Sequence, residues 1–463
     1  MKKQKMNLLS CILMGIGSII GASVFATTPI AIKIIGGNGI VIGFICAALF
    51  VFLRSIPEML LVSALPANGG SYMYLTRLVH PLMGAWDAFN ELVVGVMKIA
   101  TMALTFSTYF CMLVPACPDR VAACVCIIIF TIISCFGIKL SSTVQNVCVF
   151  VLLVSLGIYI FGGWGAATVS IGEVVSSTIQ LGALWAAMGI MHGSLIGANV
   201  LYYSAEEIED PGKNVPIAYL VSTLVTAIIY AAVAYVTVAV MPNFYEIDNL
   251  ATVAGKFLSP GMLMFFVAGG ALLAVVTSIN SAMMMFSRIN FAAARDGLFP
   301  SAISKSNKYG APAFSLWVNS VIAIVAIISG FDLEDVVKIT TIPGLLLLPI
   351  TFFSIFMLPR KFPNAYKKSY IRTPHILNCL LTAAAGVMCV MLGSYVLFQM
   401  KPRNWITMIV FYACAIVYTI IRRKYVLDKK GYDIFAKMKE PYAPWYEMEE
   451  KAKAQIAAEA SGK

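Results

Sequence analysis

The sequence predicts an all-α integral membrane protein of twelve transmembrane helices, and three observations carry that reading. Of the 463 residues, 60% are hydrophobic and only 12% are charged, a balance suited to lipid rather than water. The apolar residues gather in runs that reach the roughly 18–20 residues needed to cross a bilayer's hydrocarbon core. Nearly all the charges fall in the short segments between those runs.

In chain order the first six spans run from Leu8 to Ile35, Gly39 to Leu65, Leu82 to Val114, Val121 to Leu140, Val144 to Gly165 and Gly182 to Tyr203. The second six run from Val215 to Met241, Met262 to Phe286, Ala313 to Gly330, Val336 to Leu358, Ile376 to Phe398 and Trp405 to Ile421. The first begins after a basic start, but no small-residue cleavage site closes it before spanning length, so it reads as a retained span. Lys and Arg concentrate in alternate connections: Lys2, Lys3 and Lys5; Arg77; Lys139; Lys213; Arg295, Lys305 and Lys308; Arg360, Lys361, Lys367, Lys368 and Arg372; Arg422, Arg423 and Lys424. The positive-inside tendency then puts both termini in the cytoplasm of a multi-pass protein of the cytoplasmic (inner) membrane. The net charge of +11 reflects this topology, and no basic module for nucleic acid is assembled.

The eleven cysteines lie mostly inside apolar runs, with Cys124 and Cys126 the closest pair and no zinc spacing. They read as small hydrophobes, with Cys111 and Cys117 the one conceivable extracellular bridge. From Asp428 to Lys463 the chain is charged, with Ala and Glu near its end, and reads as a cytoplasmic extension, partly helical or disordered.

Chemistry concentrates at glycines. The first span holds Gly15, Gly17 and Gly21 within MGIGSIIGASVFATTP, although each glycine costs a soluble helix about 1 kcal/mol against alanine. Close packing through small residues is one explanation. A broken helix whose freed backbone lines a cavity is the other. The sixth span has a second such place, MHGSLIGANVLYYS, with His192, Gly193, Ser194 and Gly197. Interrupted spans five apart match two inverted five-helix repeats, where half-helix ends meet near the midplane and bind substrate and ions.

Four segments carry a family resemblance: GSIIGASVF (Gly17–Phe25); Glu58 followed by LPANGGSYMYLTR (Leu65–Arg77); SAEEIEDPGKNVPIA (Ser204–Ala218); and SRINFAAARDGLFP (Ser287–Pro300). In this order the chain resembles the amino acid–polyamine–organocation superfamily of permeases over nearly its whole length. The resemblance implies a leucine-transporter-type fold: residues 8–166 as a first inverted repeat of five helices, 167–358 as a second, and two additional helices in 359–421, between a cytoplasmic N-terminus (1–7) and a cytoplasmic tail (422–463). It implies that amides around Ala22 and Ser23, beside Gly21, receive a substrate carboxylate at a positive half-helix start. It also implies that the substrate ammonium sits on carbonyls of Ile19, Gly193 and Ile196. These are backbone roles, which leave the substrate's side chain unread.

The sequence departs from the family's sixth-span pattern of aromatic, any residue, Gly, aromatic, Glu. Here stand Leu195, Ile196, Gly197, Ala198 and Asn199, so the aromatic lid and one proton-titrating carboxylate are missing. The fifth span also lacks the Lys that replaces sodium in some relatives. Thr277 and Ser278 are candidate sodium ligands, although hydroxyls in apolar helices usually bond their own backbone. Glu58 with Arg54 makes an i, i+4 pair that reads first as mutual neutralisation and second as coupling. His192 can titrate near neutrality, and its plainer reading is a ring satisfied by a carbonyl or water. The acidic run Glu206, Glu207, Glu209 and Asp210 reads as a solvated loop able to pair with basic neighbours at the inner gate.

Lys98 lies deep in the third span, too far from either end to snorkel. Alignment of KIATMALTFSTYF with the corresponding family segment implies that it faces the substrate's side chain; the other reading is an ion pair with Glu91, and both stay open.

The resulting expectation is a secondary active amino acid transporter working by alternating access, without cofactor or firmly assigned metal, and with proton, sodium or exchange as the driving couple. Its partners are a small amino acid and membrane lipid; oligomeric state is not legible. An amino acid/amine exchanger or polyamine transporter of the same fold is one alternative, and a membrane nutrient sensor is another. No His-Glu-x-x-His, Gly-x-Ser-x-Gly or phosphate-binding loop supports an enzyme.

Overall fold

The computed structural model describes residues 5–37, 39–136, 142–176, 180–309 and 311–460. Lys2, Lys3, Lys139 and the end of the fourth expected span at Leu140 lie outside them. The described chain is helical throughout, its only bridges being Met6 with Ile208 and Asn68 with Ser204. Large apolar side chains face outward, with Phe161 80% and Phe398 81% exposed, the inverse of a water-soluble surface. This is a multi-pass membrane protein.

Every expected span falls on helix. Nine of the described helices are long and apolar enough to cross a bilayer, ten if the bent first pair is one span. The expected twelve would also require Asp119–Cys135 and Ala313–Ile328, which have 17 and 16 residues. Local chemistry sets many ends. Pro81, Pro211, Pro260 and Pro402 open helices in the first turn, where a missing N–H costs nothing. Gly36, with φ +84°, ends Ala22–Ile35 in the left-handed conformation.

Three irregularities go beyond the sequence reading. The eighth span passes through a π-helical stretch, Phe266–Leu272, where Gly270 comes so close to the fifth span that a Cβ would lie 2.4 Å from Ser155 Oγ. The tenth is two helices, Leu333–Leu346 and Leu348–Lys361, parted at Leu347 beside Pro349. The region after Asp428 is ordered helix in its described part, not disordered: Pro402–Lys430 ends at Gly431, and Ile434–Met438 and Ala443–Ala460 follow.

Polar contacts tie the links together. On one face, hydrogen bonds from Lys401 to Asp332 (2.9 Å) and Asp335 (3.1 Å) hold its ammonium above the usual lysine range. On the other, Glu207 of the acidic run pairs with Arg288 at 3.0 Å. Glu206 there accepts from Asn68 N at 2.9 Å and the Tyr442 hydroxyl at 2.6 Å. All eleven cysteines are free; Cys111 and Cys117 form no bridge, the Cys111 thiol donating to the Cys117 carbonyl at 3.1 Å.

Candidate functional site

Both glycine-rich spans are interrupted. The first bends by 46° between Leu8–Ile20 and Ser23–Ile35. Gly21 at the bend offers no side-chain cap, so the first amides of the outer half, at Ala22 and Ser23, are left without intrahelical partners. The sixth runs as Leu181–Leu195, a 3₁₀ turn over Ile196–Ala198, and Asn199–Tyr203.

The two breaks touch, and glycine makes the contact possible. A Cβ on Gly197 would lie 2.2 Å from the Ser18 carbonyl oxygen and 2.6 Å from Ile19 N. Close packing and helix breaking thus coexist along the first span. Gly15 seats Ser222, whose Oγ would lie 2.4 Å from an added Cβ. At Gly21 the absent side chain leaves room for Ser278, 1.5 Å from the Cβ position, so this direction faces the eighth span and not open space. Gly193 is less crowded, its nearest neighbour the Thr341 hydroxyl at 3.5 Å.

Around these breaks lies a cavity lined by Ser18, Gly193, Ile196, Gly197 and Asn199 with Glu58, Lys98 and His192. A neighbouring cavity is lined by Ser23, Thr27, Ile190 and Gly193. Lys98, Met102, Thr340 and Thr341 border both. Lys98 therefore stands at the junction, and no described side chain is within ion-pair or hydrogen-bonding reach of its ammonium. No ion-pair contact within 4 Å joins Lys98 to Glu91, but seven residues put both on one helix face, both line the cavity, and the Glu91 charge still acts on the ammonium.

Several residues have partners that sequence spacing could not name. Arg54 donates to Glu58 Oε1 at 2.7 Å, the i, i+4 pair expected, and also to His192 Nε2 at 2.9 Å. A guanidinium thus holds His192 at Nε2, and a ring accepting there is neutral. Glu58 Oε2, His192 Nδ1 and Asn199 Oδ1 are buried without hydrogen-bond partners among the described residues. The Ile19 carbonyl already accepts from the Tyr230 hydroxyl at 2.6 Å, and Ser23 O accepts from Thr27 at 2.8 Å. Thr277 and Ser278 both bond their own helix at Ala274 O, at 3.0 and 2.7 Å. Among the described residues no His, Cys, Asp and Glu group has metal-binding geometry.

The sequence reading missed Asp87 altogether and took Glu91 only as a partner for Lys98. Both line the cavity, with Ser71 Oγ donating to Asp87 Oδ2 at 2.7 Å. Their i, i+4 spacing inside an apolar helix was the available signal.

The profile of the amino acid permease family matches residues 6–421. The methylthioribose transporter of Bacillus subtilis (strain 168) is 25% identical over 444 residues, spanning 90% of this chain and 93% of that protein. The branched-chain amino acid permease BcaP of the same organism is 24% identical over 79% of this chain and 83% of its own length. The large neutral amino acids transporter small subunit 2 of Oryctolagus cuniculus is 28% identical over 65% of this chain and 60% of its own.

Proposed function

This chain belongs to the amino acid permease family, and we propose that it is a secondary active amino acid transporter working by alternating access, with substrate held by backbone groups at the breaks in the first and sixth spans. The observation that carries the proposal is the contact of two interrupted helices at one cavity, Gly197 against Ser18 and Ile19. Free amides at Ala22 and Ser23 give a carboxylate a positive helix start. Carbonyls at Gly193 and Ile196 serve an ammonium, and Ile19 can still join them, since a carbonyl has two lone pairs and Tyr230 uses one.

Lys98 then selects against cationic side chains, which favours a neutral or acidic amino acid and weighs against a polyamine. The lipid setting is the cytoplasmic membrane with both termini inside, a reading supported by Met6 and Tyr442 both packing on the link after the sixth span. A neutral thiosugar is the second reading, favoured by the length over which the chain matches the methylthioribose transporter.

A thermal-shift screen of the purified chain against all amino acids, their amines and methylthioribose tests this, because a ligand that binds the folded state raises its apparent stability. We expect a neutral or acidic amino acid to raise the melting temperature and to accumulate as radiolabel in proteoliposomes. If no amino acid does either, the proposal falls; a response to methylthioribose alone selects the second reading. Binding without accumulation indicates a sensor.

A further inference from the structure

One face of the third-span helix, Pro81–Leu113, turns carboxylates into the cavity where apolar groups would be cheaper. Asp87 and Glu91 stand one turn apart on it, with Asn90 between them and Lys98 two turns further along. The glycine pair that opens the short helix Gly70–Tyr74 builds the opposite wall. Gly69 and Gly70 have φ of +100° and +57°, and this turn delivers Ser71 to Asp87. At Gly70 a Cβ would lie 2.0 Å from the Tyr203 ring, so its absence lets Tyr203 reach the cavity beside Glu91.

The charged and titratable groups facing this pair come from four elements. The second span supplies Arg54 and Glu58, and the sixth supplies His192, Tyr202 and Tyr203. Lys98 lies on the same helix. Tyr412 of Pro402–Lys430 donates to Asn90 Oδ1 at 3.2 Å. Among the described lining residues, three carboxylates (Glu58, Asp87 and Glu91) thus face two bases, Arg54 and Lys98, with His192 neutral. The wall is one positive charge short of balance, and an uncompensated charge at membrane depth is costly. A hydrogen-bond observation in the same wall points the same way: Glu58 is 3% exposed and spends Oε1 on Arg54, while Oε2 has no donor among the described residues.

We propose that Asp87 and Glu91 form the coupling-proton site, sharing one proton that enters with the substrate. A zwitterionic amino acid brings no net charge, so the missing cation comes from solvent. On one side of the membrane a hydronium ion gives its proton to a carboxylate oxygen, making one O–H bond; on the other side that bond breaks and the proton returns to water. No bond in the substrate changes. The site is a property of the pair, since carboxylates one helical turn apart that line one cavity titrate together. This inference rests on the carrier reading above.

The test uses the full chain in vesicles loaded with pyranine, in choline buffer without sodium, with the twenty standard amino acids added singly and counterflow of each measured in parallel. In the wild type, the amino acid that shows counterflow should also acidify the lumen. In Asp87→Asn/Glu91→Gln, acidification per unit of counterflow should fall about tenfold or more. Each single variant should move the pH midpoint of uptake. If the double variant keeps the wild-type ratio of acidification to counterflow, or the wild type shows counterflow without acidification, the proton site is overturned while the carrier reading stands. Absence of counterflow for every amino acid overturns both.

Discussion

In the proposed transporter, Lys98 is the residue whose chemistry most directly constrains the cargo. An ammonium at the junction of two cavities repels a second positive charge by about 2–4 kcal/mol at an effective dielectric near 20 and separations of 4–8 Å, before screening by water in the cavity. Lys98→Ala should therefore improve uptake of arginine or lysine relative to the natural substrate by about tenfold, measured as a ratio of initial rates. An unchanged ratio and pH profile would remove Lys98 from the site. Arg54 poses a different question, because it holds both Glu58 and His192. Breaking such a buried pair from one side costs about 3–5 kcal/mol, so Glu58→Gln should lower the melting temperature sharply and Arg54→Gln/Glu58→Gln should recover much of it. If Glu58→Gln melts like the wild type but transports with an altered pH profile, Glu58 serves coupling rather than the fold.

At the scale of elements, the helix breaks were readable because their cause is local. Glycine in an apolar helix is expensive, and its clustering at Gly15, Gly17 and Gly21, and again at Gly193 and Gly197, marks both interrupted spans without any knowledge of neighbours. What each glycine faces was not readable. Gly197 meets the backbone of Ser18 and Ile19, and Gly21 meets Ser278 of another span, contacts that close only when distant helices pack. The same holds for the Ile19 carbonyl, occupied by a tyrosine 211 positions away, and for Asp87, whose Ser71 partner comes from a link 16 positions earlier. The interruption at Leu347 escaped notice because Pro343 and Pro349 sit in a continuous apolar run with no glycine cluster like those of the first and sixth spans. A leucine at Gly21 would collide with the eighth span, so its failure would say little about binding. Gly197→Ala is the sharper substitution: its methyl group must displace backbone at the first break, an overpacking cost of about 1–3 kcal/mol. It should weaken substrate affinity about tenfold, read from ligand-dependent melting, while Gly193→Ala, with the nearest atom at 3.5 Å, should be milder. Equal effects of the two would deny that contact between the breaks shapes the site.

Across the whole molecule, the charged end of the chain is joined to the links on the face that carries Glu206 and Arg288. Composition alone left this region as partly helical or disordered, since its charge gives no hint of the aromatic seat it finds. Trp445, 1% exposed, stacks on Tyr74 with ring centroids 5.2 Å apart, Tyr74 stacks on Tyr202 at 5.6 Å, and Phe362 meets Trp445 edge-on at 6.0 Å. One side chain thus touches the segments after the second and tenth spans directly, and the end of the sixth through Tyr74. Glu449 adds a cap, accepting from Asn364 N at 3.0 Å and Ala365 N at 2.8 Å at the start of a short helix, Pro363–Lys367. The indole N–H of Trp445 has no hydrogen-bond partner among the described residues, so packing holds the ring there, and this separates two substitutions. Trp445→Phe keeps a flat apolar ring and sheds the unpaired donor, and it should leave the tail docked. Trp445→Ala loses the stack, at a cost of about 3–5 kcal/mol for a buried aromatic, and should free the segment beyond Gly431. Limited proteolysis of detergent-solubilised protein reads the difference as rapid loss of the C-terminal fragment in the alanine variant only. Equal protection of both variants would show that the Glu449 cap and the Tyr442 contact with Glu206 hold the tail without the ring.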